Sequence, residues 1–390
     1  MIAVKIRHAL TVLLCSGLLA ISACSEKRVE EKPEAAKPVP QALNEEAAEA
    51  LSRAVWQAGQ VKLAETQAAV EALNSALATL LKQPTDDHLE AAKLAWLDAH
   101  RNFAATLPYI ELAFAPAELR SEGRKLVLSL DSWPVQPGYL DTVPGYSNSG
   151  IVNDTAIDLT LANLRKQHRL TANEEASTGF HAMEIMLWGP TGERTAEQFV
   201  AVSKGEKPEA QAANRRRALT QLMGQAMEED LADLARRWPF AANDLSRYFL
   251  ALSPAARMQQ IRAAEIRTLD EELLRRLPES SESDVESGRA ADSKLAMLAM
   301  LRTLRSNWVP AEGTGLAELL LDRHQVRALD QSFAELEALM LKMEDPIELA
   351  ELSQLARARD LLEQIAGLMS GTTQVPTPAD EMTPVSVPAD

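Results

Sequence analysis

Cysteine is almost missing from this chain of 390 residues: there are two, Cys15 and Cys24. Both lie in the first 24 positions, so the sequence beyond them is built without a disulfide. Aromatic residues make up only 4%, and the 16 glycines and 20 prolines are thinly spread, while Ala, Leu, Glu and Arg dominate. That is the composition of an all-α protein, and a hydrophobic share of 46% supplies a core rather than a disordered chain. Basic charge is also short. The net charge is −16, and no basic stripe with interleaved aromatics is present to neutralise phosphates, which argues against a nucleic-acid partner. There is no Gly-rich phosphate loop, no Cys-His zinc spacing, no Ser-His-Asp order and no short helical repeat.

What is present begins with an export signal over residues 1–23. Lys5 and Arg7 precede an apolar run from Ala9 to Ala20 that is too short for a comfortable membrane span. Ile21-Ser22-Ala23-Cys24 looks like a bacterial lipobox, with Cys24 as the lipidated first residue of the mature chain. Ser25 after it resembles outer-membrane sorting, so the expected location is the periplasm-facing side of the envelope, with the membrane as a partner through the lipid. Residues 24–41 are rich in Glu, Lys, Ala and Pro without a hydrophobic period and read as a flexible tether. Residues 371–390, with four prolines, read as a disordered tail.

Between these ends, apolar residues recur at helical spacing from Leu43 to Leu81, where Pro84 ends the run. Thr85-Asp86-Asp87 caps a second helix, carrying Trp96 and Phe103 to about Leu107. Further amphipathic helices are predicted over Glu209–Trp238, Ile261–Leu277, Leu295–Trp308, Leu316–Met343 and Ile347–Met369. The first of these carries Arg215-Arg216-Arg217, which point in different directions, so at least one is expected to be solvated. Leu128–Asp154 breaks the pattern with prolines, turn residues and the aromatics Trp133, Tyr139 and Tyr146. A structured loop of that length in a helical protein is either functional or a lid closing a bundle.

Chemistry shows through most clearly at Thr178–Pro190. Thr171 with Glu174 reads as a capping box opening a helix that Gly189-Pro190 stops. On that helix Ser177, His181, Glu184 and Trp188 fall in one narrow stripe, and apolar residues cover the remaining circumference. The helix is therefore an inner one. A buried Glu184 must meet a cation, a donor or a metal, and Gly179 implies close approach of a backbone or a ligand. His181 and Glu184 are either a polar pair holding helices in register or two metal ligands completed by groups from other helices.

G-F-H-A-M-E at Gly179–Glu184 resembles the G-x-H-x-x-E signature of the imelysin-like family. W-P-V-Q-P-G-Y-L-D followed by G-I-V-N-D is similar to the family's preceding stretch, matching at Trp133, Pro134, Tyr139, Asp141, Gly150, Ile151, Asn153 and Asp154. Gln136 stands where an acid is common in relatives. Trp96-Leu97-Asp98-Ala99-His100 resembles W-x-x-A-R with His100 at the Arg position, where it could hold an anion only when protonated or could ligate a metal. Glu279, Ser283 and Asp284 lie where relatives carry a second-bundle loop. The resemblance implies bacterial envelope proteins built as two packed helical bundles, here a body over 42–370 divided near 207/208. It also implies a catalogue place among metallopeptidases, with some relatives in iron uptake.

Two functions follow. The first is an envelope lipoprotein that binds a metal ion, or a small ligand carrying one, in a cleft between helices. Its ligands would be His181 and Glu184, with Trp133, Tyr139, Asp141, Asn153, Asp154, Trp188 and His100 as further binding candidates and a metal-transport protein of the envelope as partner. Iron and zinc suit such ligands about equally, and iron is favoured through the resemblance. The second is a zinc metallopeptidase with Asp141 or Asp154 activating water. The lack of a second His on the motif helix and of an assigned base leans against an enzyme.

Overall fold

The computed structural model describes residues 43–205, 207–240, 245–279 and 286–371. The export signal with Cys24, the tether and the C-terminal tail lie outside the described residues, as do Ser283 and Asp284.

The chain forms α1 (Glu45–Lys82), α2 (Asp86–Ala113), α3 (Arg120–Leu130), α4 (Pro137–Leu140), α5 (Leu161–Gln167), α6 (Phe180–Trp188), α7 (Ala212–Arg237), α8 (Leu245–Leu250) and α9 (Pro254–Arg267). A π-helical turn (Thr268–Leu273) leads into α10 (Leu274–Arg276), followed by α11 (Ser293–Trp308), α12 (Leu316–Leu320), α13 (Arg323–Lys342) and α14 (Leu352–Ser370). The described residues contain no strand, and no helix among them is long and apolar enough to cross a membrane. The expected all-α class is the one observed.

α1 and α2 form a long hairpin across a three-residue turn. Asn44 caps α1 by accepting the Ala47 N–H, and Thr85 caps α2 by accepting that of His88. α1 buries Val55, Trp56, Leu63, Val70, Leu73, Leu77 and Leu80 on one stripe. Around this hairpin, α7 and α9 pack on α1 while α9 and α11 pack on α2, and α13 pairs with α14 outside α11. Helices from before and after residue 208 therefore pack directly on one another. Trp56 and Trp238 tie α1 to the end of α7 reciprocally, each indole N–H donating to the other's carbonyl at 3.1 and 3.2 Å.

Several predicted bounds differ for local reasons. α2 runs through Pro108 to Ala113, because Leu107, Tyr109, Ile110 and Leu112 are buried and their packing offsets the interior proline. The expected Leu316–Met343 helix breaks at Asp322, whose carboxylate caps α13 by accepting the N–H groups of His324 and Gln325. The motif helix is shorter than expected: it starts at Phe180, not near Thr171, and Ser177 lies outside it. Gly179 has φ +91°, which ends the helix on its N-terminal side. A Cβ there would lie 2.5 Å from the Leu130 carbonyl oxygen, so the close backbone approach read from this glycine is real. Thr171 forms no capping box. Its hydroxyl donates to Glu175, and Ser177 and Thr178 donate to the carbonyls of Leu164 and Ser129.

Candidate metal centre

The close passage of Gly179 over Leu130 sets the first turn of α6 against the end of α3, bringing His181 to Asp131. Trp96 on α2 completes the placement. Its indole N–H donates to the Phe180 carbonyl at 2.9 Å, and its ring stacks on His100 one turn along, with centroids 4.8 Å apart. The fourth group, Glu286, comes from the turn 286–291 ahead of α11. His100, Asp131, His181 and Glu286 each offer one ligand atom, all within 4.8 Å of one another, and all four side chains are buried.

His181 Nε2 is 2.9 Å from Asp131 Oδ1 and 3.5 Å from Glu286 Oε1. His100 Nε2 lies 3.5 Å from the same Glu286 oxygen and 3.9 Å from Asp131 Oδ1. The other nitrogen of each ring is also spoken for. His100 Nδ1 donates to Asp292 Oδ2 at 2.9 Å, and His181 Nδ1 faces Glu184 Oε2 at 3.4 Å. Those carboxylates are held in turn: Arg101 Nε donates to Asp292 Oδ1 at 2.6 Å, and the Ala290 N–H to Glu184 Oε1 at 2.9 Å. A carboxylate oxygen is best met by an N–H, and with hydrogen on each Nδ1 both Nε2 atoms are aimed into the cluster, where that of His181 again meets a carboxylate oxygen, of Asp131. This is the carboxylate–histidine arrangement that orients metal-bound imidazoles.

Arg276, also fully buried, closes the carboxylate side. Its Nη2 donates to Asp131 Oδ2 at 2.6 Å, its Nη1 to the Glu272 carbonyl at 3.1 Å and to that residue's carboxylate, and its Nε lies 2.8 Å from Glu286 Oε1. Among the described residues, Glu286 Oε2 is buried without a hydrogen-bond partner. Burial disfavours each charge here, yet the neighbours win. Burial opposes the His100 imidazolium, but Asp292 and Glu286 raise its pKa to about 9. Burial likewise opposes that of His181, which Asp131, Glu184 and Glu286 hold well above its ordinary value. Against the same desolvation, the Arg276 charge holds Glu286 well below the usual carboxylate range and Asp131 below its own.

A cavity of about 320 Å³ opens beside the cluster, lined by His181, Glu184 and Glu286 on one side and by Trp133 to Pro137, Glu174, Ile185 and Arg289 on the others. Trp133 lies there with the Arg275 guanidinium over its ring at 5.4 Å, and exposed Gln136 lines the same wall. Trp188 stands behind the site, edge-on to Trp96 at 5.3 Å.

The other candidates are elsewhere. Asp141 is buried between two arginines, accepting from Arg194 Nη2 at 2.7 Å and from Arg216 Nε and Nη2 at 2.7 and 2.9 Å. It is a counter-charge there, not a base for water. Tyr139 donates its hydroxyl to the Gln167 carbonyl at 2.6 Å, and Asn153 donates to Thr142 and to the Ser149 carbonyl. Asp154 is exposed and accepts the Ala156 N–H. Glu279 is exposed. The expectation of a solvated arginine in 215–217 is corrected. Arg215 donates to the carbonyls of Ile151, Val152, Asp154 and Ile157, Arg216 holds Asp141, and Arg217 donates to the carbonyls of Leu81 and Phe199. The ends of a loop and of a helix supply enough free carbonyls to take up all three.

Sequence reading missed Asp131, Glu286, Arg276 and Asp292. Asp131 sits two residues before Trp133 in the stretch already singled out, and Glu286 follows the polar hinge by two residues, so both had a positional signal. Arg276 had none, being one of many arginines on amphipathic helices.

The fold and this centre define a class: an all-α protein with two histidines and two carboxylates converging in its interior, a donor set compatible with a metal ion. Residues 60–375 match the family model described as Imelysin, and the chain belongs to the imelysin family. Two solved structures share the fold. One is a protein of Parabacteroides distasonis ATCC 8503 provisionally named iron-regulated protein A precursor (13% identity, TM-score 0.57), and the other an imelysin-like protein of Psychrobacter arcticum 273-4 (14% identity, TM-score 0.52). Each alignment covers 83% of this chain and 94% of the other. No curated protein matches significantly.

Proposed function

We propose that this protein binds a metal ion, with iron favoured, through His100, Asp131, His181 and Glu286, and serves in metal uptake at the bacterial envelope. One observation carries the reading: both imidazoles spend Nδ1–H on a carboxylate and turn Nε2 toward the same pair of acids. A neutral imidazole would bring its Nε2 lone pair against carboxylate oxygens, so the cluster calls for a proton on each ring or one shared cation. A first-row ion bound at about 2.0–2.2 Å sets neighbouring ligand atoms roughly 3 Å apart and opposite ones about 4.4 Å apart, close to the separations present. The unpartnered Glu286 Oε2 adds a spare donor. Glu184, first read as a ligand, faces Nδ1 and fits better as the group that orients His181.

Iron is supported by the words "iron-regulated" in one fold neighbour's name. Attachment through a lipid on Cys24 rests on the expected export signal and lipobox, and delivery to a transport partner on the resemblance to relatives in iron uptake. For the metallopeptidase alternative, Asp141 is committed to two arginines and both Glu184 oxygens are engaged, so neither of these acids is a free base beside the cluster. The test is elemental analysis and calorimetry of the purified chain beside His181→Ala and Glu286→Gln. Near-stoichiometric metal in the parent and a loss of at least tenfold in affinity in both folded variants is the expected result. Metal-free protein after loading with iron, zinc and manganese would overturn it, and metal-dependent cleavage of a peptide substrate would replace it with the enzyme.

A further inference from the structure

The guanidinium of Arg276 is an unusual neighbour for a metal site. It is fully buried, faces three acids (Asp131, Glu272 and Glu286) and occupies the side from which their charge would otherwise meet the ion. Its three contacts are unequal. Toward Asp131 and Glu272 it makes directed hydrogen bonds, and the one to Asp131 uses Oδ2, leaving Oδ1 for His181. Toward Glu286 the separation is 2.8 Å, but among the described residues Arg276 Nε makes no hydrogen bond and Glu286 Oε2 has no donor. Toward Arg276, Glu286 is thus held by charge without a directed hydrogen bond, its Oε1 also lying 3.5 Å from both imidazole Nε2 atoms, whereas Arg276 stays anchored to Asp131 and Glu272 without it.

We infer that Arg276 is a resident stand-in for the metal's charge: it keeps the acids together in the metal-free protein and competes with the ion for Glu286. This inference rests on the metal-binding reading. A cation among Asp131 Oδ1, Glu286 and the two Nε2 atoms would meet a fixed like charge whose other anchors persist, and the Glu286 oxygen nearest the imidazoles, Oε1, is the one Arg276 also holds, so that oxygen would have to exchange Arg276 for the ion. The arginine therefore strengthens the empty fold and weakens the metal complex, which suits a protein that must release its cargo. A merely positioning arginine would do the opposite, since its loss would disorder Asp131 and weaken binding.

The experiment is calorimetric titration of Zn²⁺, a probe without redox change, into the full-length protein, Arg276→Gln and Arg276→Lys, with thermal melts of each in the metal-free state. Arg276→Gln is expected to bind Zn²⁺ at least tenfold more tightly while melting at lower temperature when metal-free, and Arg276→Lys to bind within about threefold of the parent. If the parent binds Zn²⁺ and Arg276→Gln binds it equally or more weakly, the competition is refuted while the metal site stands. If neither binds, the metal reading itself fails and takes this inference with it. Should Arg276→Gln be unfolded without metal, recovery of its native circular dichroism with excess Zn²⁺ supports the stand-in role, and no recovery overturns it.

Discussion

Raising the pH should weaken the metal-free fold, through groups that the structure identifies. His100 is 1% exposed and its pKa is raised from 6.5 to about 9, because hydrogen bonds to Asp292 and Glu286 overcome the burial that opposes its charge. A raised folded-state value means stability that is fully present below pH 6.5 and lost as pH climbs through 9. At 1.36 kcal/mol per tenfold change in proton affinity, the loss is on the order of 3 kcal/mol from this residue, and His181 adds to it in the same direction. For a body of this size that corresponds to a fall of roughly 5–10 °C in melting temperature. Glu265 contributes separately. Burial pushes its carboxyl up to about 8 against hydrogen bonds from Asn307 and Trp308, so its share is lost between pH 4.5 and 8. Melts of chelator-treated protein from pH 6 to 9.5 would be run on the parent, Glu265→Gln and His100→Asn. The Glu265→Gln change should remove its share of the slope up to pH 8, and His100→Asn the share between 6.5 and 9. With metal bound the sign reverses, because the ion replaces the imidazole protons and binds more tightly as pH rises. A metal-free melting temperature that is flat or rising from pH 6.5 to 9 in the Glu265→Gln background would refute the reasoning.

Two further outcomes separate structural roles from binding. Asp141→Asn strips the shared counter-charge from Arg194 and Arg216, both buried, and should cost about 3–5 kcal/mol by urea unfolding while leaving metal affinity within a few-fold. Loss of metal from a folded Asp141→Asn protein would put that residue back into the site. Gly179→Ala must accommodate a side chain at φ +91° with its Cβ 2.5 Å from the Leu130 oxygen, so a destabilisation above about 2 kcal/mol is expected, together with weaker metal binding as His181 is pushed away from Asp131. A shift below about 0.5 kcal/mol would mean that the close approach at Gly179 is not what seats the motif helix.

Helices were legible from sequence because their causes are local. Asn44 and Thr85 cap the helices that follow them, Pro84 ends the first, and the Val55–Leu80 stripe announces a buried face within its own turns. The conformational demand at Gly179 and the chemistry of His181 could be read in the same way, since a glycine before an apolar helix and a histidine inside one are visible one residue at a time. Membership of the centre was not. His100, Asp131 and Glu286 are separated from His181 by 81, 50 and 105 positions, and their meeting depends on where α3 crosses Gly179 and where the turn before α11 returns. Asp141 illustrates the reverse: it sits in the family's own pattern beside the motif, yet Arg194 and Arg216 arrive from later elements and take its charge. Sequence by itself determined the helical class, the Thr85 cap and the presence of a buried histidine that needs a partner. Only the tertiary structure decided which acids meet that histidine and which acid serves an arginine pair, because the pairing of buried charges is settled by packing between elements far apart in the chain.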